Sequence, residues 1–410
     1  MADFTGIFTG ASANLTTDLV KKSFGAQIVR YMPNGSSPLF ALSSMLPSET
    51  AVQTEHGFFT KTMIFPSVTL NGAISATTTT VLTVTDTSKM IVGMILQAGT
   101  TTNREQMVVD SIISATQIKV TRGFGVTAAQ SSIADATVLY MVGNAYEEAS
   151  TRPNALNINP VRVTNYTQIF RNTWAISDTI RNTYMIAGDS NGGESKMDCA
   201  AFHSTAIESA ALFAEKQTGT RNGQPFRTMD GLQSIISQYS SGANITNAGS
   251  TTTFAQLETA FDVVFNTSTD PKGGNNRMLF VGGGARKVIN NIGRLQTNAN
   301  INISSGQTDF GMQFDTVKMT RGTFQMVEHP LLNTNALWAK YAFIVDMASF
   351  RFAYLGDRKT QYKSFNASNE EAADNGIDAV GGTLTTELTT VIKNPAANAW
   401  IYGMTAAAAG

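Results

Sequence analysis

Charged side chains are scarce in this chain. Asp, Glu, Lys and Arg supply 14% of its 410 residues, against about 25% in typical soluble domains. The formal net charge is −1, and no run of Lys and Arg is present, which argues against a strongly basic nucleic-acid-binding domain. Thr, Ser, Asn and Gly replace the missing charges. Such a surface suits a subunit that copies of itself cover, because interface cores are depleted in charge, and it suits a β-rich protein with many polar turns equally well.

Cysteine and long apolar runs are also nearly absent. Cys199 is the only cysteine, so no intrachain disulfide can form. It lies among Met197, Ala200 and Phe202 on a predicted helix, which favours a buried, inert thiol. No apolar stretch reaches the ~20 residues needed to span a membrane, and Met1–Thr5 carries no basic or apolar signal segment. We therefore expect a chain that folds in a cytoplasm.

Motifs of catalysis and metal binding are missing as well. The histidines His56, His203 and His329 are far apart, and none has metal-ligand spacing. Two of them adjoin a Glu, but adjacent strand residues point to opposite faces, so no dyad is predicted. The glycine-rich segment 281–287 opens a helix, where a phosphate can bind, yet it matches neither the dinucleotide-binding nor the P-loop pattern. We therefore predict no enzyme activity, no cofactor and no metal site.

Residues 71–143 form a β-rich segment inside an otherwise polar, extended region. Strands are predicted at Val81–Thr85, Val92–Leu96, Glu105–Ile113, Gln117–Thr121 and Thr137–Val142. Short strands at this spacing, separated by Gly, Ser and Thr turns, predict a small barrel or sandwich. Extended chain is predicted on both sides, at His56–Pro66 and Val161–Ile180. The segment is therefore predicted to be an inserted domain.

A long helix is predicted over Gly193–Thr218, with apolar residues on two faces. One stripe contains Met197, Ala200, Ser204, Ile207, Ala211 and Ala214, and the other contains Cys199, Phe202, Ala206, Ala210 and Phe213. Two stripes predict a helix that is covered on both sides, by a sheet and by chain arms or neighbouring subunits. A ribbon-like arm before such a helix suits a subunit that clasps its neighbours better than one that encloses a substrate.

The rest of the chain predicts an α+β fold with long connections and no internal repeat. Leu232–Ile236 is a predicted strand, Thr253 a predicted helix cap, and Ala285–Leu295 a predicted helix. Further strands are predicted at Arg277–Val281, Thr316–Met319, Thr323–Val327, Ala336–Val345, Phe350–Tyr354, Thr383–Ile392 and Ala399–Tyr402. The first 53 residues are typical of an arm with one helical piece at Asp18–Arg30, whose apolar anchors need the body of the protein or a neighbour.

Short motifs around the long helix and within the β-rich segment point to one family. They are Glu147–Asn154, Asn165–Phe170, Trp174–Thr179, Leu82–Asp86, Val92–Gly93, Ile118–Gly123 and Leu384–Ala397. Together they resemble the tailed-phage major capsid proteins of the Hong Kong 97 fold, in the branch whose E-loop carries an inserted β-rich domain. The resemblance spans nearly the whole chain. It implies a protein that self-assembles as hexamers and pentamers into an icosahedral shell around double-stranded DNA, in virions assembled in the bacterial cytoplasm.

The resemblance also implies a division of the chain into named parts. These are an N-arm at residues 1–53, an E-loop at 54–70 and 144–187, the inserted β-rich domain at 71–143, a peripheral domain with the spine helix at 188–252, an axial domain at 253–345, and a return to the peripheral domain at 346–410. The candidate assembly-interface residues are Arg152, Asn165, Tyr166, Phe170, Arg171 and Trp174.

The implied partners are further copies of the chain, a portal, a decoration protein, and packaged double-stranded DNA contacted without sequence specificity, with no membrane. No long charged helix precedes the predicted arm, so a separate scaffolding protein is expected. Lys61 is a candidate E-loop lysine. A Lys–Asn crosslink like that of the family's founding member needs an Asn near an acidic residue, which nothing in the sequence specifies, so none is predicted.

Two other classes stay open at this point. A tail or baseplate protein usually has a dominant β-sandwich, and the long helix argues against it. A carbohydrate-binding or hydrolytic β-protein would use Tyr140, Phe124 and Asn103 of the β-rich segment as a sugar site. Hydrolysis needs two facing carboxylates, and the sequence shows no such pair.

Overall fold

The structure, a computed structural model, describes residue 39 and residues 46–407 except 62–65, 99–103, 156, 158, 184–191, 250, 268–273, 296–302, 310–311 and 366–377. The predicted helical piece at Asp18–Arg30 lies outside these residues. The chain divides into two compact units, one made of Met1–Phe58 with Val163–Gly410 and the other of Phe59–Arg162.

The strands are β1 (Glu49–Ala51), β2 (Glu55–Thr60), β3 (Ser67–Thr69), β4 (Val81–Thr83), β5 (Met94–Ala98), β6 (Gln106–Ser114), β7 (Gln117–Thr121), β8 (Val138–Asn144), β9 (Val161–Tyr166), β10 (Gln168–Ser177), β11 (Gln217–Arg221), β12 (Gln224–Thr228), β13 (Ile245–Asn247), β14 (Asn276–Val281), β15 (Ile303–Asp309), β16 (Met312–Lys318), β17 (Thr323–Glu328), β18 (Ala342–Val345), β19 (Phe350–Leu355), β20 (Gln361–Phe365), β21 (Ala379–Ile392) and β22 (Ala399–Tyr402). The helices are α1 (Asp178–Arg181), α2 (Gly193–Phe213), α3 (Leu232–Tyr239), α4 (Phe254–Asp262) and α5 (Gly283–Leu295).

The unit Phe59–Arg162 contains a six-stranded sheet in the order β3-β8-β5-β6-β7-β4. Its two end strands also meet, because the Thr85 N–H donates to the Thr69 carbonyl at 2.9 Å and the Asn71 N–H donates to the Thr83 carbonyl at 2.9 Å. The sheet therefore closes into a small barrel. Alternate strand residues fill its core, including Leu82, Met94, Leu96, Met107, Val109, Ile118, Val120 and Leu139. These strands lie close to their predicted positions, because the period-2 pattern marks them well.

A two-stranded ribbon of β2 and β9 leads into the barrel unit. The Thr167 N–H donates to the Thr54 carbonyl at 2.8 Å at one end. At the other end, the Thr60 hydroxyl donates to the Val161 carbonyl at 3.4 Å. The two strands are therefore antiparallel, and the chain enters and leaves the barrel unit side by side.

The other unit is built around a seven-stranded mixed sheet in the order β13-β22-β18-β14-β17-β16-β15. Both faces of this sheet are buried. Met278 and Phe280 of β14 lie in a core shared with α2, whereas Leu279 and Val281 lie in a second core with α4 and α5. A strand that is buried on both faces has a continuous apolar sequence and not an alternating one. The prediction of a buried strand here is confirmed.

A second sheet, in the order β1-β19-β21-β10 with β20 also paired to β21, completes this unit. β10 and β21 are antiparallel partners from Gln168 opposite Leu388 to Ser177 opposite Ala379. Apolar side chains from this sheet, such as Phe170 and Leu388, share a core with Ile207 of α2. The sheet therefore supports one side of the long helix.

The long helix ends earlier than predicted. α2 ends at Phe213 and not at Thr218, and Ala214 has extended backbone angles. The next residues form the β11–β12 hairpin, whose turn residues Asn222 and Gly223 have φ values of 51° and 72°. Positive φ at both turn positions is typical of an Asn-Gly hairpin turn. The Asn-Gly pair is the sequence signal that the prediction overlooked.

The predicted strand Leu232–Ile236 is wrong, because these residues begin helix α3. Leu232, Ile235 and Ile236 are buried, and their i, i+3, i+4 spacing places them on one helical face. The β-branched residues favoured a strand, but packing against the core around α2 determines the outcome.

The predicted strand Ala336–Val345 is correct only from Ala342 onwards. Before it, Trp338–Lys340 is a short 3-10 helix, and Leu337 is 63% exposed. By contrast, the predicted cap at Thr253 is confirmed. The Thr253 hydroxyl accepts the Gln256 N–H while the Gln256 side chain accepts the Thr253 N–H, which is a capping box.

Candidate assembly surfaces

The inner face of α2 packs against the second sheet through polar as well as apolar side chains. His203 is buried, with its Nδ1 atom 2.9 Å from Asn172 Oδ1 and its Nε2 atom 2.8 Å from Thr386 Oγ1. Burial lowers the pKa of His203, so the ring is neutral at neutral pH. Burial raises the pKa of the Cys199 thiol. Both side chains are packed within the subunit, and the burial of the Cys199 thiol agrees with the sequence prediction.

Two large apolar side chains of α2 are left open by the described part of the chain, and they lie on different sides of the helix. Met197 is 67% exposed and Phe202 is 66% exposed. Ala206, Ala210 and Phe213, by contrast, lie partly buried against the subunit's own core. The buried face is formed by Cys199, His203, Ile207, Glu208, Ala211 and Leu212, so neither predicted stripe is buried as a whole. Met197 and Phe202 are five residues apart, about 140° around the helix, so they are two separate exposed apolar positions.

Trp174 supports the start of this helix. Gly192 is the residue before α2 and has φ 79°, and an added Cβ there would lie 2.5 Å from Trp174 Cζ3. The left-handed backbone and the close ring both require glycine. The Trp174 side chain, a predicted interface residue, is half-buried at this junction within its own subunit.

Asn165 also acts inside the subunit. Its Oδ1 accepts the Asp230 N–H at 2.7 Å, and its Nδ2 donates to the carbonyls of Asp230 at 3.1 Å and Thr390 at 2.9 Å. The amide thereby joins β9, the segment before α3, and β21. Phe170 is likewise buried in the core. Both side chains are thus used by the subunit's own packing.

The other predicted interface residues lie closer to solvent. Arg152 is exposed in the barrel unit, Arg171 is exposed on β10, and Tyr166 is half-buried. No contact with another subunit is given by the structure for any of them, so their interface role stays a prediction.

A buried acid on α2 joins three distant parts of the chain. Glu208 Oε1 lies 2.6 Å from His329 Nε2 and accepts the Leu39 N–H at 2.8 Å. His329 Nδ1 accepts the Leu331 N–H at 3.3 Å, so the ring donates from Nε2 to the carboxylate. Leu39 is fully buried in the main core. This junction was not predicted, because its members are remote in sequence and none forms a recognisable motif.

A second buried acid organises the barrel. The Glu105 side chain is 0% exposed and pairs with Arg122, which is 3% exposed. Arg122 donates from Nε to Glu105 Oε1 at 2.8 Å and from Nη2 to Glu105 Oε2 at 2.5 Å. Burial opposes ionisation of Glu105, but Arg122 and the N–H groups of Gln130 and Gly123 outweigh it and lower its pKa. Arg122 and Gly123 of the family motif are therefore structural.

Two of the three residues named for the sugar-site alternative lie at the surface. Phe124 and Tyr140 are exposed on the barrel, and Asn103 lies outside the described residues. Glu105 is fully paired with Arg122, so it does not serve as a hydrolytic acid.

In the described part of the chain, no group of three His, Cys, Asp or Glu side chains is placed to hold a metal ion. Among the same residues, no helix is long and apolar enough to cross a membrane.

A long helix, a ribbon and a closed barrel are combined here in one α+β chain whose described residues show no catalytic or metal-binding cluster, an arrangement that fits a structural protein. The sequence assigns it to a particular family. The model of the SU10 major capsid protein family matches residues 8–405, and the chain belongs to this family. The major capsid protein of Pseudomonas phage PaMx41 is 34% identical over 413 residues, which cover 98% of this chain and 97% of that protein. The chain is therefore a phage major capsid protein, a component of the virion.

Solved structures of similar fold come from several particles. The capsid of the native GTA particle is 9% identical with a TM-score of 0.46, covering 98% of this chain and 100% of that chain. The Mycobacterium phage Bobi structure is 8% identical with a TM-score of 0.44, covering 94% of this chain and 96% of that chain. The SrpI encapsulin complex of Synechococcus elongatus is 8% identical with a TM-score of 0.41, covering 60% and 78%. Similarity at this level concerns the fold alone.

The family match confirms the predicted resemblance, the α+β capsid class and the structural role. The division into N-arm, E-loop, inserted domain, peripheral domain and axial domain stays a prediction, as do the candidate interface residues.

Proposed function

We propose that this capsid protein assembles as hexamers and pentamers into a closed icosahedral shell that encloses double-stranded DNA. The observation that carries this proposal is the exposure of two large apolar side chains of α2, Met197 and Phe202, in a chain of a major capsid protein family. Neighbouring subunits that cover these side chains remove them from water, and many such weak contacts add up across a closed shell.

The parts of the fold fit the proposed roles. The ribbon of β2 and β9 would be the stem of the E-loop, and the barrel would be its insertion. α2 would be the spine helix, and the seven-stranded sheet with α4 and α5 would be the axial domain near the hexamer and pentamer axes. A ribbon that reaches a neighbour can keep the same contact at several inter-subunit angles, which a shell of mixed rings requires.

The proposed partners follow from the same assignment. They are further copies of the chain, a separate scaffolding protein, a portal, a decoration protein and the packaged DNA. The net charge of −1 is consistent with contacts to DNA that are weak and independent of base sequence. We propose a purely structural role with no catalytic step, and assembly in the cytoplasm of the bacterial host.

The proposal is tested by size-exclusion chromatography with light scattering on the purified chain, followed by negative-stain microscopy. The protein is studied alone and with the scaffolding protein of its phage. Hexamers, pentamers or closed shells are expected in at least the second sample. A chain that stays monomeric in both samples would contradict the proposal.

A further inference from the structure

A rigid loop of the barrel presents apolar side chains to solvent. We call residues 123–130, which connect β7 to the segment before β8, the tip loop. Val126 at its centre is 102% exposed, and Phe124 is 39% exposed. No other described side chain covers Val126. A loop that exposes its apolar side chains to this extent is expected to be mobile unless hydrogen bonds fix its backbone.

The tip loop is fixed at both ends by the buried Glu105–Arg122 pair. Glu105 accepts the Gly123 N–H at 3.1 Å and the Gln130 N–H at 2.9 Å. Arg122 donates to the Gln130 carbonyl at 2.8 Å and to the Ala76 carbonyl at 2.8 Å. One ion pair therefore holds the first and last residues of the loop together.

The middle of the loop is fixed as well. The Thr127 hydroxyl donates to the Phe124 carbonyl at 2.8 Å and accepts the Gln106 N–H at 3.1 Å. The Phe124 N–H donates to the Gln106 carbonyl at 2.9 Å. Gly123 and Gly125 have φ values of 65° and 74°, a conformation that glycine adopts without strain. The loop is thus held in one shape before any partner arrives.

A preformed loop costs little conformational entropy when it binds, which favours association. A buried ion pair contributes little to net stability, because desolvation offsets its attraction. The pair is therefore better explained by the geometry it imposes on the tip loop than by stabilisation of the barrel. Tyr140, 52% exposed on β8, lies two strands away from Gln106, across the hydrogen-bonded side chains of Gln97 and Gln106, so the apolar surface of the loop consists of Phe124 and Val126.

The charge of the tip loop indicates its partner. Residues 123–134 contain no charged side chain. A phosphate backbone or an acidic segment is normally bound by cations, and this stretch has none. A neutral apolar patch, by contrast, can meet an identical patch across a two-fold axis without like-charge repulsion.

We infer that the tip loop is a contact between the barrels of two copies of this chain. The inference rests on the proposed shell, where every barrel has identical neighbours. Val126 is the central side chain of the contact, Phe124 flanks it, and Glu105 with Arg122 act as positioning residues.

Photocrosslinking in assembled shells tests this contact directly. A benzophenone amino acid is introduced at Val126, shells are purified and irradiated, and the products are mapped by mass spectrometry. A covalent dimer is expected, with a peptide from the barrel unit of a second copy joined to residue 126. The same label at Ile113, 52% exposed at the opposite end of the β6–β7 hairpin, is the matched control and is expected to give much less dimer.

Shells that form normally but give no dimer, or a crosslink only to a different virion protein, would overturn the inference and leave the proposed function intact. Failure of the unlabelled chain to form shells would instead count against the proposed function.

Charge exchange gives an independent measurement. Shells of V126D alone or V126K alone are expected to dissociate at lower urea concentration than the parent, because like charges meet across the contact. Shells assembled from an equal mixture of the two variants are expected to dissociate at a urea concentration close to that of the parent, because opposite charges then meet across many of the contacts. Mixed shells no more resistant than the single variants would contradict a contact between tip loops.

Discussion

Buried ionisable side chains join parts of this subunit that no short motif links. Glu208 and His329 are 121 residues apart, and Glu105 and Arg122 are 17 apart. Sequence patterns predict burial of apolar residues, because burial follows periodicity. They do not predict which ionisable side chains meet across the fold. The sequence correctly predicts Cys199 as a packed residue, yet the polar partners that stabilise the subunit emerge only from the structure.

Replacing Glu105 by Gln should destabilise the barrel strongly. Removing one member of a buried ion pair leaves the other charge uncompensated and typically costs about 3–5 kcal/mol. Hydrogen exchange of the full chain is expected to show lost protection in peptides from the barrel and unchanged protection in peptides from α5. Asp110→Asn is the control, because Asp110 is exposed and bonds only the Thr121 hydroxyl in the described contacts.

The same pair makes the barrel sensitive to acid. The pKa of Glu105 is lowered in the folded chain, so its stabilising effect is complete above the ordinary carboxyl pKa and is lost as the pH falls through the lowered value. The difference in free energy of unfolding between the parent protein and Glu105→Gln should therefore become smaller as the pH is lowered from about 7 to about 3. A difference that stays constant over this range would contradict the assigned ionisation.

Secondary-structure elements follow the sequence where one signal dominates. The barrel strands and β14 match their predicted positions, since alternating or continuous apolar runs mark them. Leu232–Ile236 is predicted as a strand because five residues are too few to separate a strand period from a helical turn, and tertiary packing makes it a helix. The predicted end of α2 is too late because residues 214–217 are good helix formers. The local Asn222-Gly223 turn instead places Gln217–Arg221 in strand β11.

The capping box of α4 gives a prediction at this scale. Thr253→Ala removes the acceptor for the Gln256 N–H and should cost about 1 kcal/mol, seen as a lower melting temperature of the unassembled protein. Thr259→Ala is the matched control within the same helix, because its hydroxyl bonds only the Ala255 carbonyl and alanine has the higher helix propensity. Equal losses for both variants would argue against a role of the cap.

On the scale of the whole molecule, the described part of the subunit leaves the apolar side chains Met197 and Phe202 of α2 exposed. The sequence predicts a long helix that is covered on both sides, and the structure shows which residues of this helix the described part of the subunit buries. What covers the exposed side chains is not encoded in any local pattern, because it depends on where neighbouring copies lie. The predicted interface residues show this limit: Asn165 and Phe170 are used within the subunit, while Arg152 and Arg171 remain exposed.

Methionine oxidation provides a test of this surface. Met197 is 67% exposed, whereas Met229 is fully buried. In the unassembled subunit, peroxide should oxidise Met197 rapidly and Met229 slowly, as read by peptide mass spectrometry. In shells, Met197 is expected to become several-fold slower, because a neighbouring subunit covers α2. Equal oxidation of Met197 before and after assembly would show that this face stays open.

The ribbon of β2 and β9 has an evolutionary consequence. Its strands bring Thr60 and Val161 into hydrogen-bond contact at 3.4 Å. The first and last residues of the barrel unit, about a hundred residues apart in sequence, therefore lie next to each other. A foreign domain whose own termini lie side by side can be grafted there without changing the path of the remaining chain. We therefore expect that evolution can replace the barrel unit by another domain while the strands and helices of the other unit keep their fold.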